Sequence, residues 1–563
     1  MIIGLDAGGT HTDAVLIGPE GLVREVKVPT DTSDLFQTVL DGLTALTEGI
    51  DSREIRRIVL STTLATNLVV QQKLPPVGML VSAGPGIDPE LFRTNPDYHV
   101  VAGAVDHRGR QIVPLDTHRI HEIAAGFARQ GIRYAGVVSK FSVRSPEHEK
   151  VMAEIVAPHV ERVFMGHTFS GSLNFPRRIA TTYLNAAVFP VHREFFEAVR
   201  KVLERKGLTV PIRILKPDGG NMQFDASLNY PAQTILSGPS ASVMGSIASA
   251  PADKTCLALD IGGTTTDMAV LVGGVPLLSP LGIEIGPHKT LIRALLSHSI
   301  GIGGDSAVRI RDGKLTVGPD RIGRAMAYGG PAPTPTDAFC VLGMTDTGDC
   351  HRAIEGLRPL AQELGLTPEE TAGRIFDEAC GRILTAAGEM IERINSKPVY
   401  TVHELMEGIQ IRPQQIMVMG GPAQQFARRL APLFNGTVSV VPHWGVANAI
   451  GCALARTTSE VVVYADTSQQ IAMAPGEHFS RDIAWDFDLP DARELAFQLL
   501  REKALRRGAN PNYLKMEVIE ESSFNMVRGF RTVGRNIRVR VQIKPGLIVG
   551  YDPLTEKLTR EDL

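Results

Sequence analysis

Two periodicities alternate along this chain of 563 residues. The opening stretches MIIGLD and TDAVLIG are short apolar, β-branched runs broken by a glycine turn, which predicts a β-hairpin continuing into GLVREVKVP. SDLFQTVLDGLTALTEGI spaces its apolar residues as a helix does, with Ser33 as the expected cap. IRRIVLSTTLATNLVVQQ reads as a strand leading into a helix, and the alternation continues through PVGMLVSAG, HRIHEIAAGFARQGIRYAGVVSKF and PEHEKVMAEIVAPHVERVFMG. That order implies an α/β architecture with a mixed sheet flanked by helices. TTYLNAAVFPVHREFFEAVRKVLERKG is a long helical pattern, PIRILKPDGG returns as a strand, and SGPSASV opens a helix before a second hairpin, CLALDIGGTTTDMAVLVGG. A Pro/Gly-rich stretch (328–339), a helical region over about 352–408 and the strand–turn QIMVMGGPAQQ follow. The last hundred residues change texture: the helix DARELAFQLLREKALRRG and the alternating strands YLKMEVIEES and NIRVRVQIKPG predict a small α+β appendage.

The two hairpins carry one phrase twice. LDAGGTHTD (5–13) returns as LDIGGTTTD (259–267), matching Asp6 with Asp260, Gly8 with Gly262, Gly9 with Gly263, Thr10 with Thr264, Thr12 with Thr266 and Asp13 with Asp267. A recurrence so distant is no solenoid period, and it predicts a doubled domain. Glycine lets backbone N–H groups crowd into one concavity, and such a nest beside a threonine hydroxyl suits phosphate. An aspartate ending the leading strand repels phosphate but is placed to hold Mg²⁺ through water, the metal bridging phosphate oxygens. Two such turns facing each other across a cleft would grip a triphosphate from both sides. No G-x-x-x-x-G-K-[ST] competes for that role.

Composition narrows the class without naming the chemistry. Net charge is −3, which gives no reason to expect nucleic acid or an acidic membrane as partner. The five cysteines (256, 340, 350, 380, 452) include no C-x-x-C, which excludes that zinc or iron–sulfur ligand set and predicts reduced thiols. With no basic leader and no apolar run near 18 residues, the expectation is a soluble cytoplasmic protein.

D-x-G-G-T-x-T-D twice, followed by VMGGPA (418–423), resembles the actin, sugar-kinase and heat-shock-chaperone ATPase superfamily. The resemblance implies duplicated actin-like (ribonuclease H-like) domains with ATP between them: 1–234 carrying the first phosphate turn, 235–462 carrying the second turn and the adenosine turn, and 463–563 as the appendage. By the same resemblance Asp6 and Asp260 organise Mg²⁺ through water, and Asp267 lies near the attacking water or substrate. Gly8, Gly9 and Thr10 with Gly262, Gly263 and Thr264 cradle phosphates, and Gly420 and Gly421 admit the adenine. Further stretches, STTLATN (61–67), RSPEHE (144–149), TILSGPSASV (234–243), HSIGIGGDSA (298–307), LTVGPD (315–320), PTDAFCVLG (335–343) and VVPHWGVANAIGCALA, are colinear with the hydantoinase A/5-oxoprolinase family over most of residues 1–460, its N-terminal region covering about 1–170. That family implies ATP-dependent opening of a cyclic amide such as a hydantoin or 5-oxoproline, or activation of a ketone for carboxylation. It also implies a second catalytic subunit of the hydantoinase B type within a homo- or hetero-oligomer. The family's histidine after the adenosine turn is missing, since GPAQQ stands at 421–425, and IGRAMAYGG (322–330) replaces another expected stretch. ATP binding transfers; substrate identity does not.

Smaller features take their place around that reading. His11 and Thr265 sit inside the two turns, and Gly303 and Gly304 of GIGGDS are expected to line the nucleotide cleft. Thr62, Thr63 and Asn67 offer hydrogen bonds to a substrate amide or make an ordinary helix cap, and Ser237 and Gly238 open a helix N-terminus suited to an anion. His148 reads as a surface residue at a helix start, and HELME (403–407) as a solvated helix face lacking the second histidine of a metal helix. The run Arg528, Arg531, Arg535, Arg538, Arg540 and Lys544 reads as the outer face of a strand rather than an acidic partner's site. The rival functions are a small-molecule kinase, and a chaperone-like ATPase switch acting on a protein.

Overall fold

The structure, a computed structural model, describes residues 1–8, 11–31, 34–279, 281–396, 410–511 and 514–548. The first hairpin forms as the pattern predicts: Ile2–Ala7 and His11–Gly18 pair antiparallel, and Gly21–Pro29 extends the sheet. On the other side of Ile2–Ala7 the parallel strand Arg57–Thr62 follows, then Ile212–Leu215 and the antiparallel Asn221–Gln223. The second hairpin repeats the plan. Thr255–Ile261 pairs antiparallel with Thr266–Val272 on one side and parallel with Gln415–Met419 on the other, and Thr437–Val440 continues the sheet. Two mixed sheets built alike and flanked by helices are the duplication that the repeated phrase predicts.

Each sheet buries both faces. Ile3, Leu5, Ala14 and Leu16 pack on helix Leu35–Thr47 and on the far end of the long helix Phe175–Arg205, whereas Ile2, Val15 and Ile17 face helix Ala447–Leu454. In the second sheet Leu257, Leu259 and Val270 meet helices Pro335–Val341, Pro368–Asn395 and Ala423–Leu430. The opposite face, with Ala258 and Met419, packs on Val441 and Ala447. Helix Ala447–Leu454 thus lies between the two sheets, beside helix Ser237–Ile247, whose Ala241 and Met244 share a cluster with Val59 and Cys452.

The helices between the sheets touch almost backbone to backbone. A Cβ on Gly451 would stand 2.2 Å from the Gly245 nitrogen, and one on Gly245 would stand 2.2 Å from the Ala447 carbonyl. Gly4, in the adjacent strand, leaves the same kind of room for the Ala449 carbonyl. Only glycine admits such an approach.

Several expectations change. Residues 78–165 do not extend the first sheet; they make a separate four-stranded parallel sheet in the order 162–165, 134–139, 78–82, 98–100. Helices Thr117–Arg129 and Glu147–Val156 alternate with its strands, and such crossovers favour parallel pairing. The first helix is capped by Asp34, which accepts from the Gln37 N–H at 2.9 Å; Ser33 lies outside the described residues. His148 is buried, its Nε2 3.0 Å from Gln111 Oε1, rather than on the surface. Cys340 and Cys350 form a disulfide, contrary to the expectation of reduced thiols: the turn between helices Pro335–Val341 and Cys350–Leu364 brings their Cα atoms to 5.2 Å, while Cys256, Cys380 and Cys452 are free and buried. Among the described residues, the region predicted helical over 352–408 holds two helices, Cys350–Leu364 and Pro368–Asn395, the second opened by a capping box of Thr367 and Glu370. HELME (403–407) lies outside the described residues.

The C-terminal sheet is antiparallel, in the order 479–482, 471–474, 460–466, 531–543, 516–528, with helix Leu489–Arg506 on one face. Its strand Glu460–Asp466 straddles the 462/463 division read from sequence. Arg538 pairs with Glu520 and Arg540 with Glu460, so part of the arginine run is spent within the molecule. No helix among the described residues is long and apolar enough to cross a membrane.

Candidate nucleotide cleft

Strand pairing sets the two turns alike. Asp6 sits opposite Asp13 and Asp260 opposite Asp267 in register. The Gly8 N–H donates to the His11 carbonyl at 3.1 Å, and the Gly262 N–H to the Thr265 carbonyl at 2.9 Å, closing both turns by one rule. The turns share a cleft of about 860 Å³, a size suited to a nucleotide with a small molecule. Of the residues singled out in the sequence, Asp6, Gly8, His11, Asp260, Gly262, Gly263, Thr264, Thr265 and Asp267 line it. Thr63, Asn67, Gly238, Gly304, Gly420 and Gly421 line it as well. Gly9 and Thr10 lie outside the described residues.

Three expected residues stand off the cleft surface. Thr62 and Ser237 are buried against each other: the Ser237 hydroxyl donates to the Thr62 carbonyl at 2.8 Å and accepts from the Thr62 N–H at 3.2 Å. They lock the Arg57–Thr62 strand to the helix that begins at Ser237. Gly303 packs beneath the second turn, where a Cβ would meet the Gly262 carbonyl at 2.5 Å. Its neighbours complete the support, the Gly304 and Asp305 N–H groups donating to the Gly262 and Gly263 carbonyls at 2.9 and 2.6 Å.

The sequence reading missed Ser242 and Asn448, which hold the cleft floor. Asn448 Nδ2 lies 3.2 Å from Asp260 Oδ2 and 3.5 Å from Asp6 Oδ2, tying the paired aspartates of both halves to one amide. The Ser242 hydroxyl donates to Asp260 Oδ2 at 2.5 Å. Both sit on the helices packed between the sheets, in SGPSAS and GVANAIG, where a polar residue inside an apolar helical run was the available signal. Two ion pairs also stand on the cleft wall, Asp13 with Lys27 at 2.8 Å and Asp305 with Arg321 at 2.9 Å.

Charge dictates what the cleft accepts. Five carboxylates (Asp6, Asp13, Asp260, Asp267 and Asp305) face two cations, Lys27 and Arg321. Burial, reinforced by the charges of Asp13 and Asp260, pushes the Asp6 carboxyl up to about 7. Burial and the charge of Asp260 push Asp267 up to about 7. Burial raises Asp260 too, against the hydrogen bonds from Ser242 and Asn448. Asp6 Oδ1 is buried without a hydrogen-bond partner. A polyphosphate cannot enter such a surface unless a cation comes with it, and an unpartnered carboxylate oxygen is a place to hold one. No group of three or more metal-ligating side chains stands among the described residues. Mg²⁺ keeps its waters and takes one or two carboxylates plus phosphate oxygens. The residues present therefore fit Mg²⁺ held through water by Asp6 and Asp260.

These shifts fix the sign of a pH effect. Asp6 and Asp267 bind protons in the folded chain up to about pH 7, whereas in the unfolded chain they lose them near 3.8. Their stabilisation is complete below that lower value and is lost as pH rises through about 7. The loss is on the order of 1 kcal/mol per pH unit for each group. The melting temperature of the metal-free protein is expected to fall between about pH 4 and 7, and Asp6→Asn to flatten that fall. An equal slope in the variant would show that Asp6 does not titrate there.

Comparison with known proteins agrees with the arrangement. The chain is 25% identical over 513 residues to the caprolactamase alpha subunit of Pseudomonas jessenii, covering 82% of this chain and 70% of that one. It is 23% identical over 525 residues to the acetone carboxylase beta subunit of Xanthobacter autotrophicus, covering 81% and 69%. Nucleotide-free acetone carboxylase superposes with a TM-score of 0.70 at 17% identity, over 98% of this chain and 88% of that one. The ATP-dependent caprolactamase of Pseudomonas jessenii gives 0.69 at 20%, over 96% and 87%. The sequence model named hydantoinase/oxoprolinase matches residues 178–461, and that of the hydantoinase/oxoprolinase N-terminal region matches residues 2–160. With the two models together matching nearly all of residues 2–461, this protein belongs to the hydantoinase/oxoprolinase family.

Proposed function

We propose that the chain uses ATP to phosphorylate the carbonyl oxygen of a small molecule, a cyclic amide such as a hydantoin, 5-oxoproline or another lactam, or a related ketone. The observation that carries this reading is the single amide of Asn448 joining Asp6 and Asp260 between two glycine turns in one cleft. An unstrained amide resists water because its nitrogen feeds electrons to the carbonyl. Bonding the carbonyl oxygen to the γ-phosphorus, with ADP leaving, turns that oxygen into part of a leaving group. The amide then sheds its N–H proton, and a ketone would shed an α-proton in the equivalent step. Asp267, which lines the cleft and is held up to about 7, would take that proton near neutrality. Mg²⁺ at Asp6 and Asp260 would neutralise phosphate charge as it moves to the leaving ADP. The turns hold phosphate through backbone N–H groups, and Gly420, whose Cβ would meet the Ile261 carbonyl at 2.2 Å, keeps the adenosine wall tight against the second turn. Two relatives carry the word subunit in their names, which supports a second catalytic subunit, of hydantoinase B type, completing the reaction after phosphorylation.

The test is ADP release by the purified protein with Mg-ATP across hydantoins, 5-oxoproline, larger lactams and simple ketones, with ³¹P spectra of the products. Stimulation of severalfold by one compound, with inorganic phosphate and a ring-opened acid as products, supports the reading. A stable phosphorylated product would replace it by a kinase. Slow turnover that no small molecule accelerates and a protein partner does would replace it by an ATPase switch.

A further inference from the structure

A second pocket, of about 90 Å³, lies at the junction of the first sheet's loops, the Arg293 segment and the C-terminal sheet. It shares no lining residue with the nucleotide cleft. Its cations are Lys216, Arg293, Lys503 and Arg507. Lys503 is paired with Glu477, and Lys216 Nζ donates to Asp218 Oδ2 at 3.0 Å and to the Thr458 carbonyl at 3.2 Å. Glu460 is taken by Arg540 at 2.6 Å, and the Arg507 guanidinium lies over the Tyr230 ring, 5.0 Å from its centre. With Asp218 on Lys216, Glu477 on Lys503 and Glu460 on Arg540, Arg293 and Arg507 are left without a carboxylate of their own.

Of these two, Arg293 is the one whose terminal nitrogens are orphaned. Its side chain is 13% exposed, and its ion-pair distances to Asp218 and Glu460 are 4.0 and 3.9 Å, too long for hydrogen bonds. Both terminal nitrogens, Nη1 and Nη2, are buried without a hydrogen-bond partner. The Ser459 hydroxyl and Gln233 Oε1, on the same pocket wall, are also buried and unpartnered. Buried polar atoms are normally satisfied, and four orphans carried by residues lining one small pocket call for a partner. A guanidinium fork matches a carboxylate, the Ser459 hydroxyl can donate to the same anion, and Gln233 Oε1 asks for a donor. The volume admits about three waters or a molecule of only a few heavy atoms.

We propose that this pocket binds a small hydroxy acid, its carboxylate on Arg293 and Ser459 and its hydroxyl donating to Gln233. Burial, with Arg507 and Arg293 adding to it and Asp218 opposing, draws the Lys216 ammonium down to about 8, so a bound anion also steadies that charge. The pocket wall leads to the cleft: the Ser240 hydroxyl donates to the Lys216 carbonyl at 2.9 Å, and Ser240 shares its helix with Ser242, which holds Asp260. The ligand therefore ties the C-terminal sheet to the helix under the nucleotide.

The experiment is titration calorimetry of the full chain with glycolate, acetate and sodium chloride, in the presence and absence of Mg-ADP. Glycolate is expected to saturate with Kd on the order of 0.1–1 mM. Acetate should bind at least about threefold more weakly, Arg293→Gln should weaken glycolate about tenfold or more, and Mg-ADP should not compete. Ser459→Ala, a smaller change, should weaken it several-fold and keeps the test open if Arg293→Gln does not fold. Glycolate no better than chloride would show that ordered water fills the pocket and overturn the proposal. So would affinity unchanged in both variants, acetate bound as well as glycolate, or displacement by Mg-ADP. None of these readings depends on ATP turnover.

Discussion

Asp260→Asn is expected to lower ATP turnover by about a hundredfold or more without lowering thermal stability at pH 8. The activity loss follows from removing one of the two carboxylates that fit the metal, since phosphoryl transfer rests on positioning and on neutralising charge. The retained stability follows from the same geometry read in reverse. Asp260 is raised by burial and adds its charge to the burden on Asp6 and Asp267, so a neutral amide relieves a repulsion the metal-free chain otherwise bears. Its remaining oxygen can still accept from Ser242, now 2.5 Å away. A coupled ADP assay beside a melting curve separates the two effects. Turnover within threefold of the parent would remove Asp260 from the cation site, and a marked drop in melting temperature would mean its charge is structural.

The largest stability effect is expected at Gly451. A Cβ there would meet the Gly245 nitrogen at 2.2 Å and the Ala241 carbonyl at 2.4 Å, backbone atoms that yield only if a helix moves. Gly451→Ala is expected to cost about 3 kcal/mol, at the upper end of ordinary overpacking. Glycine to alanine inside a helix otherwise gains about 1 kcal/mol. Gly381, in helix Pro368–Asn395, has nothing within 4 Å of an added Cβ and gives that control. Gly381→Ala is expected to raise the melting temperature and Gly451→Ala to lower it. Shifts of the same sign would deny the close crossing. Because the helices carry Ser242 and Asn448, Gly451→Ala should also weaken Mg-nucleotide binding, which Gly381→Ala should leave alone.

What the sequence disclosed and what it concealed divide along a physical line. The glycine turns were legible because their chemistry is local: aspartate, two glycines and threonine within eight residues prescribe both a backbone shape and a ligand, and their repetition announced the duplication. The same locality explains the ambiguity at Thr62 and Ser237, since a hydroxyl near a helix start looks alike whether it meets a substrate or another hydroxyl. Asn448 was not legible. It lies 188 residues from Asp260 and 442 from Asp6, and no local pattern distinguishes an asparagine that reaches both from one facing solvent. The disulfide hid for a related reason, as a spacing of ten residues matches no ligand motif and closes only through the turn between two helices. The separate parallel sheet over 78–165 was not foreseen, because strand and helix order can be read from periodicity, but not which strands share a sheet. Pocket residues such as Lys216, Arg293 and Ser459 come from three distant segments, so their convergence belongs to tertiary structure alone.

The glycine-packed crossing also governs how the molecule can move. Helices meeting backbone to backbone have no side-chain layer to shear, so sliding one past the other would lift carbonyls over Cα atoms at every step. Turning about the point of contact disturbs far fewer atoms. The crossing therefore behaves as a fulcrum, and the two halves as arms of unequal reach. Asp6 and Asp260 share Asn448, which the same helix carries, so such a turn would change their separation little. Trp444, Tyr328 and Gln425 also line the cleft and would move with its walls. Strokes of a few degrees would thus gate entry and exit while leaving the cation's seat untouched.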